Sequence, residues 1–233
     1  AGYVKLNAFA AKRGFETMCR CTLTEGYGLS ETSPVAACNP HDRPPREGSI
    51  GLPLPGTDFS IRSLEDPTVE VERGEAGEIC IAGPQVMAGY WNKPEETENV
   101  FVGRFFRTGD VGYMDKEGFI FIVDRIKDMI NASGFKVYPR RIEDVLYEHP
   151  AVEEVTVIGI PDAYRGEAPK AFIKLKNGVQ ATKAELIEFL RPRLSKIELP
   201  AEIEFRDSLP KTLVGKHSKK ELRAERAVKS QSA

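Results

Sequence analysis

The chain has 233 residues, enough for one or two domains and for a core that needs neither disulfide nor metal. With 33 Lys and Arg against 35 Asp and Glu, its net charge of -2 lacks the basic excess of a dedicated nucleic-acid binder. No apolar run approaches the roughly 18–20 residues of a membrane span. Cys19, Cys21, Cys38 and Cys80 match no common zinc spacing, so free thiols in a reducing compartment are expected. The first residue is Ala1, not Met, and no targeting segment is recognisable, so a piece of a longer protein is expected.

Residues 1–25 give no clear register, although 8–13 has a helix-compatible composition. Residues 26–34 are rich in Gly and Ser and read as a loop. From 48 to 81 the texture is β: Ile50, Leu52 and Leu54 alternate with Gly, Ser and Pro, as do Phe59 and Ile61, and Ile79 and Ile81. Gly74 and Gly77 read as turns between these strands. Pro94 sits early in a short helix that begins near Asn92. A strand is expected over 118–123, after which the charged run 124–128 marks a domain boundary.

Beyond the boundary the order reads helix, strand, strand, helix, strand, helix. The first helix opens at Pro139, with Ile142, Val145 and Leu146 on its apolar face. Strands are expected over 152–160 and 170–175. Thr182 and Glu185 form a capping box ahead of Leu186, Phe189, Leu190 and Leu194. A short strand over 201–205 follows, and Ser218 with Glu221 caps the last helix. The expected fold is α+β: a β-rich part over 1–124, β from about 46, and a small α+β domain over 125–233 whose sheet is covered by helices.

Four motifs follow one another: Tyr27-Gly28-Leu29-Ser30-Glu31, Arg107-Thr108-Gly109-Asp110, Asp124-Arg125-Ile126-Lys127-Asp128 and Pro210-Lys211-Thr212-Leu213-Val214-Gly215-Lys216. The last contains Gly-Lys, but Pro210 and His217 stand where a phosphate-binding P-loop needs Gly and Ser or Thr, so a P-loop is rejected. What remains is a lysine on a Gly-containing loop ahead of a capped helix, able to offer a point charge to a phosphoryl oxygen. Taken alone, it is better read as one more surface lysine. Thr108-Gly109-Asp110 reads as a tight turn whose carboxylate could accept both ribose hydroxyls, or as an ordinary Gly-Asp turn. The first motif groups an aromatic face, a hydroxyl and a carboxylate, fit for a purine, a phosphate oxygen and a magnesium ion, or for a polar surface loop. Ser133-Gly134 turns the chain toward Pro139, either because a ligand comes close or because a turn needs positive φ. Residues 206–229 hold eight basic and three acidic residues, which suits a polyanion and equally a solvated face. His41, His149 and His217 stand in no nucleophile context.

The ordered set resembles the acyl-adenylate-forming (AMP-binding) superfamily of acyl-CoA synthetases, luciferases and peptide-synthetase adenylation domains. It looks most like the C-terminal half of a bacterial long-chain fatty-acid–CoA ligase. The resemblance runs from about Leu23 to Arg223 and is most telling in Gly134-Phe135-Lys136-Val137-Tyr138-Pro139-Arg140 and Pro161-Asp162-Ala163-Tyr164-Arg165-Gly166-Glu167. It implies a two-step reaction with ATP, Mg2+ and coenzyme A: a fatty acid or related carboxylate is adenylated, and a thiol then displaces AMP. By resemblance Tyr27 stacks on adenine, Ser30 contacts the α-phosphate, Glu31 binds magnesium and Asp110 holds the ribose with Arg125 nearby. Lys216 stabilises charge at the α-phosphate and is the catalytic residue. Lys127 is the hinge of a rotating C-terminal domain; Gly134 lines the coenzyme A tunnel and Arg165 faces its phosphates. The implied protein is cytoplasmic, with peripheral membrane contact left open and no oligomeric state set. Two departures stand out. His217 and Ser218 follow the lysine where such enzymes carry apolar residues, and the Ser/Thr/Gly-rich loop for the β- and γ-phosphates is absent, so the chain alone is expected to be inactive. A non-catalytic nucleotide- or coenzyme-A-binding module and an aryl-CoA ligase of the same fold are the alternatives.

Overall fold

The computed structural model describes residues 15–42, 44–212, 215 and 217–231, the last five as backbone. The expected helical run over 8–13 and the lysine at 216 lie outside the described residues. The chain divides into two compact units, Ala1–Ile126 and Lys127–Ala233. No helix among the described residues is long and apolar enough to cross a membrane. All four cysteines are free.

Unit 1 is β-rich. Strands β1 (Gly26–Gly28), β2 (Val35–Cys38) and β3 (Leu52–Pro53) form an antiparallel sheet in that order. The loop expected over 26–34 is therefore a strand followed by a 3-10 turn over Ser30–Thr32. Its glycine has a steric reason: a Cβ on Gly28 would overlap the Pro34 carbonyl. The Thr32 hydroxyl accepts from the Leu29 N–H at 2.9 Å and donates to the Pro34 carbonyl at 2.8 Å, a local bond that turns the chain without a long sequence signal.

The second sheet of unit 1 contains β4 (Asp58–Arg62), β5 (Gly77–Ala82), β6 (Phe101–Val102), β7 (Phe105–Met114) and β8 (Ile120–Arg125). Its order is β4-β5-β7-β6, with β8 also on β7, all antiparallel. Every residue of β5 is buried, and Ile79 and Ile81 pack with Tyr27, Ile50, Phe106 and Ile120. The Ile50 N–H donates to the Ile120 carbonyl and the Ile120 N–H to that of Gly51, joining the two sheets. Gly77, read from sequence as a turn, instead opens β5, where a Cβ would overlap the Arg62 carbonyl. Helix α1 (Pro94–Asn99) begins on its proline, whose missing N–H has no helical partner to lose.

Unit 2 holds β9 (Ile130–Ala132), β10 (Phe135–Val137), α2 (Pro139–Tyr147), β11 (Val152–Asp162), β12 (Gly166–Leu175), α3 (Lys183–Leu190), β13 (Glu202–Phe205) and α4 (Lys219–Gln231). The β9–β10 hairpin is absent from the sequence reading because three-residue strands carry too few alternations to register. Ser133 and Gly134, at φ 53° and 82°, form its two-residue turn, the hand that matches strand twist. Strands β11 and β12 pair along a longer hairpin than expected, and β13 runs parallel to β12. On one face Val155, Val157 and Ile173 pack with Ile142 and Leu146 of α2 and Leu186 and Leu190 of α3. On the other, Ile158, Ile160 and Phe172 meet Leu209 and Leu222, the latter on α4. The sheet is thus covered by helices on both faces, and the molecule as a whole is α+β. The capping box before α3 is present: the Glu185 N–H donates to Thr182 Oγ1, and the Thr182 N–H to Glu185 at 2.7 Å.

Candidate functional site

Three of the sequence-selected residues meet in unit 1. Tyr27 lies at the centre of β1, Asp110 on β7 and Arg125 at the end of β8. The Tyr27 hydroxyl donates to Asp110 Oδ2 at 2.6 Å. Asp110 and Arg125 are opposed across the β7–β8 ladder, with Arg125 Nε 3.4 Å from Asp110 Oδ1. Asp110 is only 4% exposed. Burial, then the neighbouring Asp110 charge, raises the Tyr27 hydroxyl well above its ordinary range, so it stays protonated and donates. The ring of Tyr27 is itself 3% exposed and packs within the core of its unit. The structure therefore presents Tyr27 first as the partner of Asp110.

Asp110 owes its aim to a bulge. The tripeptide Thr108-Gly109-Asp110, read from sequence as a tight turn, lies inside β7. Glu78 pairs with Val111 and Cys80 with Arg107, so residues 108–110 face Ile79 alone. Gly109 adopts φ +71°, which a side chain would oppose. Thr108 Oγ1 donates to the Ile79 carbonyl at 2.8 Å and accepts the Asp110 N–H at 3.1 Å. Glu78, 2% exposed, receives the Gly109 N–H and pairs with Arg107 at 2.8 Å. Glu78 was not selected from sequence. Its only signal is an acid inside the apolar run of β5.

Ser30 is exposed and Glu31 half-buried on the 3-10 turn after β1. The Tyr90 hydroxyl donates to Glu31 Oε1 at 3.0 Å, and the Met87 N–H to the Glu31 carbonyl at 2.8 Å. Tyr90, too, was missed, since nothing in Gly89-Tyr90-Trp91 marks it. Among the described residues no cluster of three or more His, Cys, Asp or Glu could hold a metal. One carboxylate fits a magnesium ion only where phosphate oxygens and water supply its other ligands.

In unit 2 Lys127 is exposed on the 3-10 turn Ile126–Asp128, the first residue of its unit. Arg223 of α4 donates to the Lys127 carbonyl at 3.4 Å and pairs with Asp128 at 3.0 Å. Gly134 and Arg165 are brought together, because the Ser133 N–H donates to the Arg165 carbonyl at 2.7 Å. Among the described residues nothing beyond its chain neighbours lies within 4 Å of where a Gly134 Cβ would stand, so positive φ is what calls for glycine within this unit. Arg165 is half-buried, its N–H held by Asp162 at 2.8 Å. Lys216 lies outside the described residues.

Two family models match: "AMP-binding enzyme" over residues 5–91 and "AMP-binding enzyme C-terminal domain" over residues 141–216. The chain is 51% identical over 205 residues to a long-chain-fatty-acid–CoA ligase of Bacillus subtilis, covering 88% of this chain and 36% of that protein. It spans little more than a third of the length of that relative. Among solved structures, ATP-bound MatB from Rhodopseudomonas palustris superposes with a TM-score of 0.86 at 34% identity, over 92% of this chain and 42% of that one. An o-succinylbenzoate CoA synthetase from Bacillus subtilis, in complex with its acyl-adenylate intermediate, gives 0.78 at 33%, over 86% and 40%. With the family's two models matched in order and the fold shared, this chain belongs to the AMP-binding, acyl-adenylate-forming enzyme family, and it is 44–51% identical to several bacterial long-chain fatty-acid–CoA ligases over most of its length.

Proposed function

We propose that the chain is the adenosine-facing and C-terminal part of an ATP-dependent fatty-acid–CoA ligase. The observation that carries the reading is the buried carboxylate of Asp110, held on a bulge between the Tyr27 hydroxyl and the Arg125 guanidinium. A fixed carboxylate of this kind suits a vicinal diol such as ribose, because its two oxygens can accept two hydroxyl protons. Arg125 is partly exposed and keeps donors for a polar ligand. Tyr27 orients Asp110 and offers the edge or face of its ring to a purine only if the ligand displaces its neighbours. Ser30 and Glu31 stand on the adjoining turn, Ser30 for the α-phosphate and Glu31 for magnesium bound chiefly through phosphates.

In this reading unit 1 is the end of the large domain, unit 2 the mobile domain and Lys127 its hinge. Lys216 stabilises the charge that builds at the α-phosphate as the fatty-acid carboxylate attacks and pyrophosphate leaves, a preorganised electrostatic contribution. The coenzyme A thiolate then attacks the acyl carbon and AMP leaves, with Gly134 and Arg165 on the side of the thiol and its phosphates. The 51% identity to a long-chain-fatty-acid–CoA ligase over 88% of this chain supports a fatty acid as the carboxylate substrate.

Two measurements test this. The chain alone, given ATP, a fatty acid and coenzyme A, should release no AMP. A full-length ligase carrying this segment should lose ATP–pyrophosphate exchange by at least roughly 10²-fold on Lys216→Ala. Unchanged exchange would instead favour a binding module without catalysis.

A further inference from the structure

The loop that carries Lys216 is closed at its base. Lys211 and His217 form an antiparallel bridge. Just outside it the Ser218 N–H donates to the Pro210 carbonyl at 2.8 Å, and just inside it the Gly215 N–H donates to that of Thr212 at 2.8 Å. Only the first member of the bridge is held by an acid on β11: Lys211 Nζ is 2.7 Å from Glu154 Oε1, whereas His217 Nδ1, 3.9 Å from Glu154 Oε2, is buried without a hydrogen-bond partner among the described residues.

The fold explains why Glu154 is there. Side chains of a strand alternate between faces, so Glu154 shares its face with Ile158 and Ile160. Those two pack with Leu209 and Leu222, which flank the loop on either side. A register shift between Val152 and Glu154 frees Glu153 to take Lys174 at 2.6 Å, while Lys174 is 4.0 Å from Glu154. Glu154 is thereby left to serve the loop. Burial, with help from Lys211 and Lys219, holds His217 below its ordinary range against the opposing pull of Glu154. Lys219 is engaged by Glu143 at 2.9 Å. His217 stands where the resembled enzymes carry an apolar residue, and here it closes the bridge beside a carboxylate.

We propose that Glu154 is a positioning residue which, by holding Lys211 beside the Lys211–His217 bridge, fixes the base of the loop that delivers Lys216 to the α-phosphate. This rests on the adenylation reading given above. A long lysine side chain on a free loop samples many conformations, and clamping the loop removes much of that freedom before reaction. The effect belongs to the adenylation step alone, because Lys216 acts there.

Glu154→Gln in this chain should speed hydrogen exchange of amides over 210–218, Gly215 and Ser218 foremost, while β12 stays protected. Equal protection in both proteins would overturn the clamp. In a full-length ligase carrying this segment, Glu154→Gln should lower ATP–pyrophosphate exchange by on the order of 10- to 10²-fold. Thioester formation from supplied acyl-adenylate should stay near the parent rate. Lys211→Met, which leaves Glu154 in place, should give the same split. Equal loss of both half-reactions in both variants means general damage and refutes the proposal. The control is Lys216→Ala: if it abolishes exchange and neither clamp variant alters it, only this inference fails. If Lys216→Ala itself leaves exchange intact, the adenylation reading fails and this inference with it.

Discussion

Tyr27 and Asp110 show how much one hydrogen bond can be asked to do. The carboxylate is buried, and an ionised group out of water needs partners to remain charged. It has the Tyr27 hydroxyl on one oxygen and Arg125 near the other. Tyr27→Phe removes the hydroxyl and leaves the shape of the ring. A hydrogen bond to a charged group contributes about 1.5–3 kcal/mol, so this variant should unfold at a lower urea midpoint with an unchanged slope. AMP affinity, followed by calorimetry, should fall with it, since Asp110 loses one of its two fixed directions. A variant as stable as the parent would show that the bond contributes little. The individual residues were legible from sequence as members of motifs. Their pairing was not, because 83 positions separate Tyr27 from Asp110 and no local rule links them.

At the scale of the element, the bulge in β7 decides where Asp110 points. Among the described residues nothing beyond its chain neighbours lies within 4 Å of where a Gly109 Cβ would stand, so an alanine there meets no clash with them. Its cost comes from the left-handed backbone at φ +71°, about 1–2 kcal/mol. Gly109→Ala should therefore lower the melting temperature modestly and weaken nucleotide binding more than stability alone explains. Gly28→Ala, which would overlap the Pro34 carbonyl, offers a contrast and should be the more disruptive of the two. A Gly109→Ala protein with parental nucleotide affinity would remove the bulge from the site. Sequence reading recognised that Thr108-Gly109-Asp110 bends the chain but took the bend for a tight turn. The same positive φ serves a turn or a bulge, and only the pairing of β7 with β5 and β8 distinguishes them. Helices fared better: Pro94, Pro139 and the Thr182–Glu185 box each mark a helix start through local chemistry. The β9–β10 hairpin escaped notice because it draws its stability from β12 and the core beneath.

On the scale of the whole molecule, each unit has its own hydrophobic core. Unit 1 centres on Ile50, Ile79, Ile81 and Ile120, and unit 2 packs both faces of its sheet. A core of its own is the physical requirement for independent folding. Residues 127–233 expressed alone should therefore unfold in one cooperative transition, with matching near- and far-ultraviolet circular dichroism midpoints. Non-coincident midpoints would mean that unit 2 depends on residues before Lys127. The sequence by itself determined the α+β class, the change of texture near residue 124 and the family, because motif order and apolar periodicity are properties of the chain. Tertiary structure alone decided that Asp110 sits on a bulge between Tyr27 and Arg125, that Glu78 and Tyr90 support the candidate site, and that Glu154 pairs with Lys211 at the base of the Lys216 loop. These depend on which strands become neighbours. That choice is set by the burial of whole faces summed over both sheets, and no short stretch of sequence contains the sum.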